Sequence, residues 1–144
     1  MAEKSKTIEV NPRPQLSLSY AVGLLEMGMY RESLALFDKL PDDVRQRSTA
    51  RRAELKAATA LGQWQRALKL ASLLRDGNES DREAAADAFQ NIAAEASKRG
   101  SEGDALKLAN LAIRARPEHS NRFRDDERFP NAFRARFGMK LQSF

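Results

Sequence analysis

The sequence predicts an all-α fold built as an array of about three antiparallel helical hairpins, and three observations lead there. A ten-residue phrase recurs: GMYRESLALF (28–37) returns as GQWQRALKLA (62–71), thirty-four positions later. Apolar residues fall three and four apart through both copies, the spacing of one face of an α-helix. The composition suits helix as well, with 42% hydrophobic and 31% charged residues, five prolines in 144 positions, and many Ala, Leu, Arg, Lys and Glu, the residue types that are least costly inside a helix.

Residues 1–13 lack any helical period and read as a flexible tail. The first hairpin, 14–47, opens on the stripe Leu16, Tyr20, Leu24, Met27 and closes it at Gly28. A glycine there suits a helix C-terminus, because the chain must take a positive φ to turn back. A second stripe follows, with Leu34 and Phe37 three apart and Leu36 and Leu40 four apart. The second hairpin, 48–85, repeats the plan: Leu55, Ala58 and Leu61 lead into Gly62, then Trp64, Ala67, Leu68, Ala71 and Leu74 lie along the next helix. The third, 86–117, carries ALKLANLA at 105–112, offset by 38 rather than 34 from ALKLA at 67–71. The four extra residues are assigned to DGNESDRE (76–83), where Gly77 and Asn78 break a helix and Ser80 with Glu83 forms a capping-box pattern. Gly100 then takes the place of Gly28 and Gly62, and Ser33, Ala67 and Ala105 are the small residues five positions on.

These features resemble the tetratricopeptide repeat: a period of 34, glycine at the inter-helix turn, an aromatic residue two on (Tyr30, Trp64), a small residue three further, Phe37 four beyond in the first copy, and a proline (Pro117) after the second helix of the third. The resemblance covers roughly residues 14–117 and departs in places, with Glu102 where an aromatic is usual and no proline in the second copy. It implies a right-handed solenoid. Each hairpin stacks on its neighbour because it cannot bury its apolar face alone, and about three repeats plus polar-faced caps are needed for stability.

The segment 118–144 is expected to be a helical cap. Phe129, Phe133 and Phe137, spaced by four, make one helical stripe with Pro130 near its start and Arg134 and Arg136 off it. A lid on the third hairpin is the first reading of that stripe. A homodimer contact is the second, and an aromatic, basic nucleic-acid surface the third. The charge distribution bears on this last reading. Of a net +5, residues 114–144 hold +4, eight Lys or Arg against four acids.

Function follows from what the chain lacks and what the resemblance implies. There is no cysteine, a single histidine and no phosphate-binding glycine loop, so no catalytic residue, metal site or cofactor is expected. No apolar run approaches the roughly 20 residues of a membrane span, and the charged N-terminal stretch MAEKSKTIEV is unlike a signal peptide. The cytoplasm is the expected compartment. The resemblance implies a non-catalytic interaction module or adaptor whose concave groove is lined by the first helix of each hairpin. That places Leu18, Val22 and Leu25, then Arg52, Lys56 and Thr59, then Gln90, Ala94 and Ser97 on the binding surface. Arg52 and Lys56 stand one turn apart and could meet an acidic or amphipathic segment of a partner protein. The alternative is a nucleic-acid-binding accessory protein using the basic, Phe-containing C-terminal segment.

Overall fold

A computed structural model describes residues 17–138 of the chain. The expected tail, 1–13, lies outside the described residues. Nine helices and no strand are found among the described residues. The chain divides into two compact units, Met1–Gln63 and Trp64–Phe144. This division falls inside what the sequence period reads as the second hairpin.

In the first unit α1 (Leu18–Glu26), α2 (Tyr30–Phe37), α3 (Asp42–Arg45) and α4 (Ser48–Ala60) follow one another. Ser17 caps α1, its Oγ accepting from the Tyr20 N–H at 3.0 Å, which satisfies one of the donors a helix start leaves open. At the other end the Gly28 N–H donates to the Leu25 carbonyl and the Met29 N–H to the Leu24 carbonyl, at 3.0 and 2.9 Å. That pair of bonds is a Schellman turn, and it requires a left-handed residue, here Gly28 with φ 79°. α2 starts immediately afterwards and packs on both α1 and α4. Small residues let α1 and α2 approach: Ala21 and Ser33 are fully buried, and Ser33 Oγ donates to the Ala21 carbonyl at 2.8 Å. Phe37, also fully buried, is the largest side chain of this core. Behind it, Arg45 reaches Glu54 with Nε at 3.3 Å and Nη2 at 3.0 Å, and Asp38 at 3.1 Å. Glu54 is only 3% exposed, so this fork supplies the countercharge its burial needs.

The second unit holds α5 (Trp64–Leu74), α6 (Glu79–Lys98), α7 (Glu102–Ala115), α8 (His119–Asp125) and α9 (Asn131–Gly138). Its centre is α6, which packs on α5 and more extensively on α7. Ala85, Ala86, Phe89 and Ala93 of α6, and Ala105, Ala109 and Ala112 of α7, are fully buried. Alanine here serves close approach.

The Schellman turn of α1 recurs at the ends of α4 and α6. Gly62 and Gly100 have φ 70° and 82°, and with Gly28 they are the positive-φ residues described. The N–H groups of Gln63 and Ser101 reach the Ala58 and Ala96 carbonyls at 2.9 and 2.8 Å, and those of Gly62 and Gly100 reach Thr59 and Ser97 at 3.0 and 2.9 Å. The glycine register read from the sequence is thus a conformational one. The interval from Gly62 to Gly100 exceeds that from Gly28 to Gly62 because its helices are longer, 11 residues in α5 against 8 in α2 and 20 in α6 against 13 in α4, while the connection between them is shorter, residues 75–78 against 38–47.

The capping box of α6 differs from the one expected. Asn78, not Ser80, is the cap: its side chain accepts from the Asp81 N–H at 2.8 Å, and the Asp81 carboxylate accepts from the Asn78 N–H at 3.3 Å. Asparagine is at least as good a cap as serine, and Gly77 leaves room for it. A Cβ on Gly77 would overlap the Asp81 side chain. α6 therefore starts at Glu79, two residues before the start implied by a Ser80 cap, and Glu83 is free to pair elsewhere.

The expected C-terminal helix is present as α9, after Pro130. Phe129, just before Pro130, and Phe133 and Phe137 of α9 are 2%, 0% and 7% exposed, and they close on a fourth ring, Phe123 of α8, at 0%. Ring centroids lie 4.7 Å apart for Phe129 and Phe133, 5.4 Å for Phe133 and Phe137, 5.2 Å for Phe123 and Phe137 and 5.4 Å for Phe123 and Phe129, all within the range of favourable ring pairs.

Candidate interaction surface

The expected binding residues lie on α1, α4 and α6. On α4, the buried side is Ala50, Glu54, Leu55, Ala57 and Ala58. Residues 52, 56 and 59 are three and four apart on the other side. Lys56 is exposed, and Arg52 and Thr59 are half-buried. Thr59 spends its hydroxyl on its own helix, donating to the Leu55 carbonyl at 2.8 Å. Arg52 already has a partner within the protein. Glu54 points into the core toward Arg45 instead of lying beside Lys56.

On α1 the open surface is not the expected one. Leu18 and Val22 are half-buried and Leu25 is 7% exposed. Leu25 adjoins Leu24 and Ala21 in the apolar arc that α1 turns inward, so it belongs to the core rather than to a binding surface. Among the described residues of this unit the exposed large apolar side chains are Tyr20, Met27 and Met29, at 43%, 67% and 39%. The α1 and α4 helices touch within the same unit.

On α6 the third expected set is covered in part. Ala94 is 6% exposed, and Gln90 Nε2 donates to Asp126 Oδ2 at 2.9 Å. Ser97 stays half-buried. Gln90 is one member of a polar seam that the sequence reading missed. Asp87 Oδ1 accepts from Arg122 Nη1 at 2.8 Å and lies 2.9 Å from His119 Nε2. Asn91 Oδ1 accepts from Arg128 Nη1 at 3.0 Å. Arg116 Nη1 stands 3.0 Å from Glu83 Oε1, near enough for an ion pair but out of hydrogen-bond alignment. His119 is fully buried and its Nδ1 has no hydrogen-bond partner. The signal for this seam was present in Glu83, Asp87 and Asn91 at four-residue spacing and in the run of arginines after 114.

These contacts also bear on the C-terminal segment as a surface. Its four Phe rings are inside, so they offer no face for base stacking or for a second copy of the chain. Arg124 pairs with Asp125 at 3.0 Å, Arg128 with Asp126 at 2.7 Å, and Arg134 Nε donates to the Arg124 carbonyl at 2.9 Å.

Asp126 gives this segment an acid limb. Burial pushes its carboxyl up, but hydrogen bonds from the Arg128 and Gln90 side chains and the Arg128 backbone, with the Arg128 charge, outweigh that and hold it at about 2 against an ordinary 3.8. A carboxylate lowered on folding adds stability that is fully present above 3.8 and is lost as pH falls through about 2. Asp126→Asn should therefore melt below the parent at neutral pH, and the gap should close across that window. A gap independent of pH would assign the effect to packing.

Among the described residues no three His, Asp or Glu side chains gather as metal ligands, and no helix is long and apolar enough to cross a membrane. Comparison with family models, with curated proteins and with solved structures returned no match.

Proposed function

We propose that the chain is a non-catalytic protein-interaction module of tetratricopeptide-like hairpins, and that it takes an acidic or amphipathic segment of a partner protein on its first unit. The observation that carries this reading is the threefold recurrence of one turn, with Gly28, Gly62 and Gly100 each left-handed, each closing a Schellman pair and each followed two residues later by a new helix. Repeated hairpins of this kind serve as extended binding surfaces. The chemistry of the partner follows from what the first unit leaves open. α4 exposes Lys56, and the same unit exposes Tyr20, Met27 and Met29, a cation for carboxylates and apolar area for a helix face.

The test is a double substitution, Arg52→Glu with Lys56→Glu, used as bait beside the intact chain. Glutamate is nearly as good a helix former as the residues it replaces, so the helix should persist, and Lys56→Glu alone, which leaves the contact of Arg52 within the protein intact, should move stability by less than about 0.5 kcal/mol. Two attractions become two repulsions, and like charges across an interface can cost several kcal/mol. The expected result is a protein retained by the intact chain, with an acidic segment, that the double variant releases. If both baits retain the same proteins equally, this face is not the binding surface.

A further inference from the structure

Gly23 is a residue that the described fold does not use. It lies in the interior of α1, where glycine is the least favourable residue after proline. Its φ is not left-handed, and a Cβ built on it would meet nothing within 4 Å among the described residues. Neither backbone conformation nor packing inside the unit calls for glycine there. What glycine supplies on an open helix face is a notch, through which another backbone can come close.

The notch lies in an apolar stripe. Tyr20, Gly23 and Met27 fall three and four apart, on one side of α1, and Tyr20 and Met27 are among the exposed side chains of this unit. The arc that α1 turns inward is Ala21, Leu24 and Leu25, so the stripe stands outside the contacts with α2 and α4. Its layout is symmetric: Tyr20 comes three residues before Gly23, and Met27 three after Leu24. Two such helices crossing antiparallel, with a two-fold axis at Gly23–Leu24, set each Tyr20 across from Met27 of the second copy. That is a favourable aromatic–sulfur pair, and the notches meet at the crossing. A two-fold interface needs this kind of self-complementarity. Charge agrees. Glu26 is the one charged residue of α1 and stands off the stripe, so two copies meet no like charge along it, whereas an acidic segment would find no cation on this helix.

We infer that the Tyr20–Gly23–Met27 stripe is a homodimer contact, with Gly23 as the crossing point of two α1 helices. The inference goes beyond the proposed partner binding and uses neither Arg52 nor Lys56, so a failure of their test leaves it standing. Tyr20 and Met27 also belong to the apolar area offered to a partner protein, and a partner helix would therefore displace the second copy.

The contact is one helix of nine residues, about 14 Å long, which is small beside a permanent interface. The full chain is therefore followed by sedimentation equilibrium from about 10 µM to about 1 mM, where its average mass should climb toward twice the monomer. Gly23→Leu is the decisive variant. Leucine is the better helix former and has open space here, so the melting midpoint should hold or rise, while the filled notch should weaken association at least about tenfold. On a surface that is apolar but not shaped for the crossing, the added leucine would strengthen association instead. Orientation is read by cross-linking, since the chain has no cysteine of its own. Chains carrying Tyr20→Cys, mixed with chains carrying Met27→Cys and mildly oxidised, should form the mixed disulfide beyond its random share. A parent that stays monomeric throughout overturns the inference, as does association that Gly23→Leu leaves equal or stronger. Disulfides without preference for the mixed pair overturn it too.

Discussion

Phe133→Ala should destabilise the C-terminal segment by about 3–5 kcal/mol, the range for emptying a buried aromatic site. Phe133 is fully buried and stands between two rings, 4.7 Å from Phe129 and 5.4 Å from Phe137. Truncation removes both ring contacts and leaves a hole in a fully buried site. The effect should be local. α8 and α9 depend on these rings for their packing, whereas α6 and α7 are held by an alanine-rich contact of their own. Hydrogen exchange separates the two: amides of residues 119–138 should exchange much faster in the variant while those of α6 and α7 keep their protection. Parent-like exchange throughout would mean that the rings are not what holds the segment together.

What could be read ahead of the structure was whatever depends on neighbours along the chain. The glycines at 28, 62 and 100 were legible because a Schellman turn is closed by bonds spanning only a few residues, and because a left-handed φ leaves glycine as the favoured choice. The Phe129, Phe133, Phe137 stripe was legible from its period. Phe123 was not, because it joins the cluster from the preceding helix, across a turn that carries Asp126 and Glu127. The cap of α6 was misplaced by two residues, since Asn78 and Ser80 are both good cap chemistry and the choice falls on the room that Gly77 leaves for Asp81.

The candidate surface was less legible than the fold, and for the same reason. Arg52 and Lys56 share a face by helix geometry alone. Leu25 and Ala94 sit at the edge of a buried arc, where a rotation of one residue decides between core and surface. The seam joins Asp87 to His119 and Arg122, 32 and 35 residues away, and Asn91 to Arg128, 37 away. Pairing at that distance is set by how helices pack, and period and spacing carry no record of it.

Ala67→Phe tests the register that organises the whole reading. The same register puts small residues at 33, 67 and 105, and all three are fully buried. In α5, Ala67 lies with Leu70, Ala71 and Leu74 on the buried side, and α5 packs on α6. A phenyl ring at 67 has no void to enter, so it must displace a helix or take a strained rotamer, at a cost of about 1–3 kcal/mol or more. The control is one residue away. Leu68 is 37% exposed, and Leu68→Phe adds comparable aromatic bulk where solvent can yield, so it should stay within about 0.5 kcal/mol of the parent. Trp64, one turn before Ala67 on the same helix, reports the unfolding of α5 by its fluorescence during urea denaturation. The expected result is a lower midpoint for the variant at 67 and an unchanged one for the variant at 68. Equal midpoints would mean that position 67 tolerates bulk, and the equivalence of 33, 67 and 105 that defines the repeats would fall with it.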